Sequence, residues 1–76
     1  MSDFPQAECK ERVRRLTERE REVLRCLALG LLSKQIADDL AISINTVRVY
    51  RERIYSKLGV NGPAQAAIVA HSAEVV

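Results

Sequence analysis

An all-α fold, a bundle of four helices, is what this sequence predicts, and three observations predict it. Apolar residues recur at spacings of three and four: Val23, Leu24 and Leu27, then Ile36, Ala37 and Leu40, then Val47, Tyr50, Ile54 and Leu58. That is the period of helices with one buried stripe each. Capping residues open these stretches and glycines close them. Aromatic residues are limited to Phe4, Tyr50 and Tyr55, so a core has to be assembled from Leu, Ile, Val and Ala.

The first helix starts after Thr17. In Thr17-Glu18-Arg19-Glu20 the threonine hydroxyl can accept from the amide three residues on, while Glu20 reaches back to the threonine amide. Glu18, Glu20 and Glu22 suit the positive end of the helix dipole. Gly30 stops the helix, because glycine enters the left-handed region without a Cβ clash. A short second helix is expected over 33–40 with Ser33 as its N-cap. Ala41-Ile42-Ser43 makes a tight connection, and Ser43 caps a third helix, 44–58, that ends at Gly59. A fourth begins at Pro63, where proline suits the first helical position, and runs to about Ala73. Residues 1–15 read as an N-terminal tail or linker, with at most a turn or two of exposed helix over 8–15 anchored by Val13 alone. The domain proper is then 16–76.

Length and charge narrow the function classes. Seventy-six residues make one domain with a modest core. The net charge of +2 says nothing about nucleic acid until its distribution is known. No apolar run reaches the roughly 18 residues that a membrane span needs. The opening MSDFPQAECKER lacks an apolar signal region, so a cytoplasmic protein with no membrane partner is expected. Cys9 and Cys26 have no CxxC spacing, and His71 is the one histidine, so a zinc site lacks ligands. Cys26 is expected in the core and Cys9 at the surface. No cofactor, no metal and no small-molecule ligand is expected, and no enzyme activity. Adjacent Asp38 and Asp39 point about 100° apart on a helix and cannot serve one substrate.

The second and third helices carry the functional signal. Two helices packed steeply over a short turn need a small residue where they touch, here Ala37, and apolar anchors at set places, here Ile36, Leu40, Ile42, Val47 and Tyr50. At 3.6 residues per turn, Val47, Tyr50, Ile54 and Leu58 share the inner side of the third helix. Asn45, Val49, Glu52 and Ser56 take the outer side, flanked by Arg48 and Arg53. These types can read a major groove: Arg donates twice to guanine, Asn pairs with adenine, Glu accepts from cytosine, and Val meets a thymine methyl. Arg48, Arg51, Arg53 and Lys57 against Glu52 give the segment 44–59 a charge of +3, more than the whole chain's excess. Such a footprint suits a phosphate backbone.

Four strings, LTEREREVL (16–24), GLLSKQIADDLAIS (30–43), NTVRVYRERIYSKLGV (45–60) and QAA (65–67), resemble the LuxR-type helix-turn-helix DNA-binding domain. That domain is the output module of many two-component response regulators and quorum-sensing regulators. The resemblance implies transcriptional regulation through double-stranded DNA, with the third helix, about 44–58, in the major groove. It implies base reading by Asn45, Arg48, Val49 and Glu52, and phosphate contacts by Lys34, Ser43, Thr46, Arg51, Arg53 and Lys57, although Lys57 also fits a structural ion pair. Glu52 departs from the pattern, where a basic residue is frequent, and Ser33, Tyr50 and Pro63 stand for a usual Asn, His and Arg. The resemblance further implies a homodimer through the fourth helix, with Ala64, Ile68, His71 and Val75 on its outer side, bound to a (pseudo-)palindromic site. RNA polymerase is a further candidate partner. Two other readings stay open: an interaction module of the same fold that has lost DNA binding, which the low net charge and Glu52 favour, and a sigma-factor-like promoter reader.

Overall fold

The computed structural model describes residues 5–75; residues 1–4 of the expected tail, and Val76, lie outside the described residues. Five helices are formed there: α1 (Gln6–Arg14), α2 (Glu18–Ala28), α3 (Ser33–Leu40), α4 (Ile44–Leu58) and α5 (Pro63–Ser72). Helices α2 to α5 are the expected four. Helix α1 is more than an exposed turn, because it buries Cys9 and Val13, four residues apart, against α5 and α4. The surface place expected of Cys9 is overturned, since it is 1% exposed, while Cys26 packs against the core but is only half-buried. A cysteine inside the charged string ECKER looks solvated until the i, i+4 partner Val13 is counted as its companion in one stripe. Burial pushes the Cys26 thiol pKa up, and Asp39 adds to the rise.

The start of α2 follows the sequence closely. Thr17 Oγ1 accepts from the Glu20 amide at 3.1 Å, and Glu20 Oε1 accepts from the Thr17 amide at 2.8 Å. Val23 and Leu24 are fully buried, and Leu27 nearly so. The start of α3 corrects the expectation. Extended Leu32, not Ser33, is the N-cap, and the amide of Leu32 donates to Gln35 Oε1 at 2.8 Å. Ser33 lies one residue inside the helix, and its hydroxyl accepts from Arg51 instead, at 2.7 Å.

Helices α3 and α4 are joined through Ala41, which takes φ 56° and ψ 44°, the left-handed region. The turn then closes as the Ile42 amide donates to the Ala37 carbonyl at 3.0 Å. A Cβ in that region costs roughly 1 kcal/mol relative to glycine. Ala41→Gly is therefore expected to stabilise the domain by about 0.5 kcal/mol, most of the relief being offset by the freer unfolded chain. A urea midpoint that stays put or falls would show the turn to be unstrained.

Helix α4 ends at Gly59, φ 70°, and the Val60 amide returns to the Tyr55 carbonyl so that Val60 enters the core. Arg12 of α1 donates to the Leu58 carbonyl, closing the C-terminal end of α4 from outside. Helix α5 buries Ala66, Val69 and Ala70, chiefly against α2. Beyond it the wheel fails, because Glu74 adopts φ 59° and the Val75 amide folds back to the Ala70 carbonyl at 2.9 Å. Val75 consequently packs against the core and leaves the outer side of α5, where the sequence reading had put it.

Candidate nucleic-acid interface

Helix α4 divides cleanly into two sides. Val47, Ile54 and Leu58 are 0% exposed, and Tyr50 packs half-buried beside them. Asn45, Arg48, Val49, Glu52, Arg53 and Ser56 are all exposed, Val49 to 45%. The small contact residue is where the sequence put it, since Ala37 is 5% exposed in the α3–α4 pairing. With its inner side locked by three fully buried side chains, α4 cannot rotate without exposing them. The orientation of the outer set is thus held by the core.

The N-terminal end of α4 is built from its own cap. Ser43 Oγ accepts from the Thr46 amide at 3.0 Å, and the Ser43 and Thr46 hydroxyls share a hydrogen bond of 2.8 Å. Ser43 is exposed and Thr46 half-buried, so both keep capacity for an outside acceptor beside the positive end of the helix. Lys34 is exposed near the start of α3.

The basic residues separate into two groups, a division that the sequence signals for Lys57 alone. Arg51 donates to Ser33 Oγ at 2.7 Å and to the Tyr55 hydroxyl at 3.1 Å, which ties α4 to the beginning of α3. Lys57 donates to Glu20 Oε1 at 2.7 Å and ties α4 to the beginning of α2. Arg19 reaches the Leu40 carbonyl at 3.0 Å and covers the end of α3. Arg51 thus fastens the two helices of the unit to each other, and Lys57 and Arg19 hold that unit against α2. Of the two roles open to Lys57, the ion pair is the one occupied here. Lys34, Arg48, Glu52 and Arg53, by contrast, make no side-chain hydrogen bond or ion pair among the described residues.

Glu20 is the residue the sequence reading undervalued. Recognised only as half of a cap, it is 2% exposed and accepts from Thr17 and Lys57 together. Burial pushes its carboxyl pKa up. The Lys57 hydrogen bond, the Thr17 amide, the Lys57 charge and the Thr17 hydroxyl together outweigh that and hold it below the usual carboxylate range. A matching clue was present in the sequence: Lys57 stands one turn after the buried Ile54, at the edge of the inner side.

On the outer side, Arg48, Arg51, Glu52 and Tyr55 line a shallow groove of about 320 Å³. No described helix is long and apolar enough to cross a membrane. A compact helical unit that presents a polar, cation-flanked helix over a tight turn is a helix-turn-helix domain. Residues 14–70 match the family of bacterial regulatory proteins described as the luxR family, and the chain belongs to it. Its relatives include the transcriptional regulatory protein FixJ of Azorhizobium caulinodans, 48% identical over 52 residues, which covers 68% of this chain and 25% of FixJ. LiaR of Bacillus subtilis, also a transcriptional regulatory protein, is 43% identical over 61 residues, 80% of this chain and 29% of LiaR. The DNA-binding transcriptional activator DevR/DosR of Mycobacterium tuberculosis is 41% identical over 64 residues, 84% of this chain and 30% of that protein. The chain thus spans between a quarter and a third of the length of these curated relatives. The family is one of bacterial regulatory proteins, and the relatives named here are transcription regulators, one of them DNA-binding by name.

Proposed function

We propose that this domain binds double-stranded DNA sequence-specifically as the cytoplasmic output module of a response regulator, with α4 in the major groove. The observation that carries the reading is the unengaged outer side of α4. Asn45, Arg48, Val49 and Glu52 face outward on a helix whose opposite side is sealed in the core. They act as the base-reading set. Lys34, Ser43, Thr46 and Arg53 supply contacts to phosphates. Arg51 and Lys57 contribute chiefly by holding α4 in place, because their donors are already directed at Ser33, Tyr55 and Glu20.

Selection of bound duplexes from a random pool, followed by titration of the winner against salt, tests the reading. Enrichment of one motif with tight, salt-dependent binding is the expected result; a pool that emerges unenriched would leave an interaction module as the function. Lys34→Ala is expected to weaken binding to selected and unselected duplexes alike and to lower the salt slope by about one. A loss confined to one base position would instead make Lys34 a base reader.

The functional unit in this proposal is a homodimer on a (pseudo-)palindromic site, with half-sites about one helical turn apart. Ala64, Ile68 and His71 are exposed on one side of α5, Ile68 to 49%. Ile68→Asp is expected to leave the helical content intact while reducing self-association and cooperative occupation of the two half-sites. Sedimentation that finds the variant as associated as the parent would move the dimer contact away from α5.

A further inference from the structure

Arg48 and Glu52 lie four residues apart on the outer side of α4, line the same groove, and carry opposite charges. That spacing commonly closes an ion pair on a helix, though less readily with the base on the N-terminal side, as here. The pair is open: neither side chain has a hydrogen bond or ion pair among the described residues. The neighbouring Arg53 does not engage Glu52 either. Glu8, Glu20 and Glu22 are engaged, whereas Glu18, Asp38 and Asp39 share with Glu52 the lack of a side-chain hydrogen bond or ion pair among the described residues, but of these four only Glu52 lies on the outer side of α4. A carboxylate left open on the surface offered to a polyanion weakens binding to every phosphate near it. It has a compensating use only if it reads something.

Resting on the DNA-binding reading above, we infer that Arg48 and Glu52 form a donor–acceptor pair that reads neighbouring G·C positions, with Arg48 taking a guanine and Glu52 a cytosine, and that Glu52 gives up affinity for specificity. The chemistry of base edges sets the assignment. A guanidinium donates only, and guanine presents two acceptors, O6 and N7, in the geometry of its fork. A carboxylate accepts only. Guanine and thymine show it acceptors and no donor, so they are rejected by repulsion and by a desolvated oxygen left unpaired. Adenine offers one donor beside the acceptor N7, and cytosine offers its amino donor with no acceptor beside it. Cytosine is therefore the base that the carboxylate tolerates best. One turn of helix separates the two side chains by a rise of about 5–6 Å, less than two base-pair steps, so the positions they read are adjacent or nearly so.

The experiment compares parent, Glu52→Gln and Glu52→Ala in duplex selection and in titrations against four duplexes differing only at the inferred cytosine. The Glu52→Gln side chain both donates and accepts, which suits adenine. The expected result has three parts. The parent prefers cytosine by about tenfold over thymine at one position. Glu52→Gln shifts that preference to adenine, and Glu52→Ala flattens it. Both variants bind unselected DNA more tightly than the parent does. Methylation of the cytosine amino group, which blocks its donor, weakens the parent but not Glu52→Ala. If both variants gain affinity for all duplexes equally with unchanged base preferences, Glu52 is a surface charge and the inference is overturned. A parent that selects no motif overturns the DNA-binding reading itself and is recognisable before any variant is made. Because Glu52 is exposed and has no partner among the described residues, both variants keep the parent's fold, and matching circular dichroism spectra verify it.

Discussion

Lys57→Met is expected to lower the stability of the domain by about 2–3 kcal/mol at neutral pH, measured by chemical denaturation. Removing one member of a buried, hydrogen-bonded ion pair costs about 3–5 kcal/mol when both groups are fully buried. Here Glu20 is 3% exposed through its side chain but Lys57 is 38% exposed, so solvent screens the pair and the lower figure applies. The methionine keeps the aliphatic stem over the core, so the loss reports the charge and its hydrogen bond. The pH dependence has a definite sign. In the parent, the folded-state pKa of Glu20 is depressed. Its contribution is complete above the ordinary carboxylate pKa, and is lost as the pH falls through the folded-state value. In Lys57→Met, burial is no longer outweighed to the same extent, and protonating Glu20 relieves the fold. The stability gap between parent and variant should accordingly narrow in acid. Equal midpoints at pH 7, or a gap that widens on acidification, would show that Lys57 contributes nothing through Glu20.

Arg48→Ala is expected to weaken binding to the selected duplex by about 1–3 kcal/mol for each half-site, and to relax the base preference at one position per half-site. A symmetric dimer carries the change twice, so the whole operator suffers up to about double that loss. Stability should hardly move, since Arg48 is exposed and has no side-chain partner among the described residues. The contrast with Lys57→Met is the point of the pair. One substitution impairs folding through a cation turned inward, the other impairs recognition through a cation turned outward, and both cations lie on α4. Uniform weakening across all sequences after Arg48→Ala would reassign it to the phosphate backbone.

Much of the fold is legible residue by residue. The α2 cap, the Gly30 and Gly59 stops and the inner side of α4 all follow from rules that act within a few residues. So does the outward set Asn45, Arg48, Val49 and Glu52, because α4 is long enough for its wheel to hold. The wheel misleads where a helix ends sooner than its pattern: Glu74 turns left-handed, and Val75 goes to the core. Composition misleads at Cys9, whose charged neighbours hide a two-residue stripe. The Ser33 cap fails because Leu32 already has the extended backbone a cap requires, which leaves the serine hydroxyl for Arg51.

Local periodicity and end signals, then, were sufficient to specify four of the helices, their buried stripes and the direction in which α4 presents its polar side. Those properties depend on neighbours three or four positions away along one helix. The division of labour among the cations was settled elsewhere. Whether an arginine or lysine caps a helix, neutralises a buried carboxylate or stays open for a phosphate depends on what packing brings beside it. The partners lie 37 residues away for Lys57 and Glu20, 18 for Arg51 and Ser33, and 46 for Arg12 and Leu58. Electrostatic and hydrogen-bond partners act over a few ångströms of space at whatever separation along the chain. For that reason a charge count along α4 overstates what is left to meet DNA.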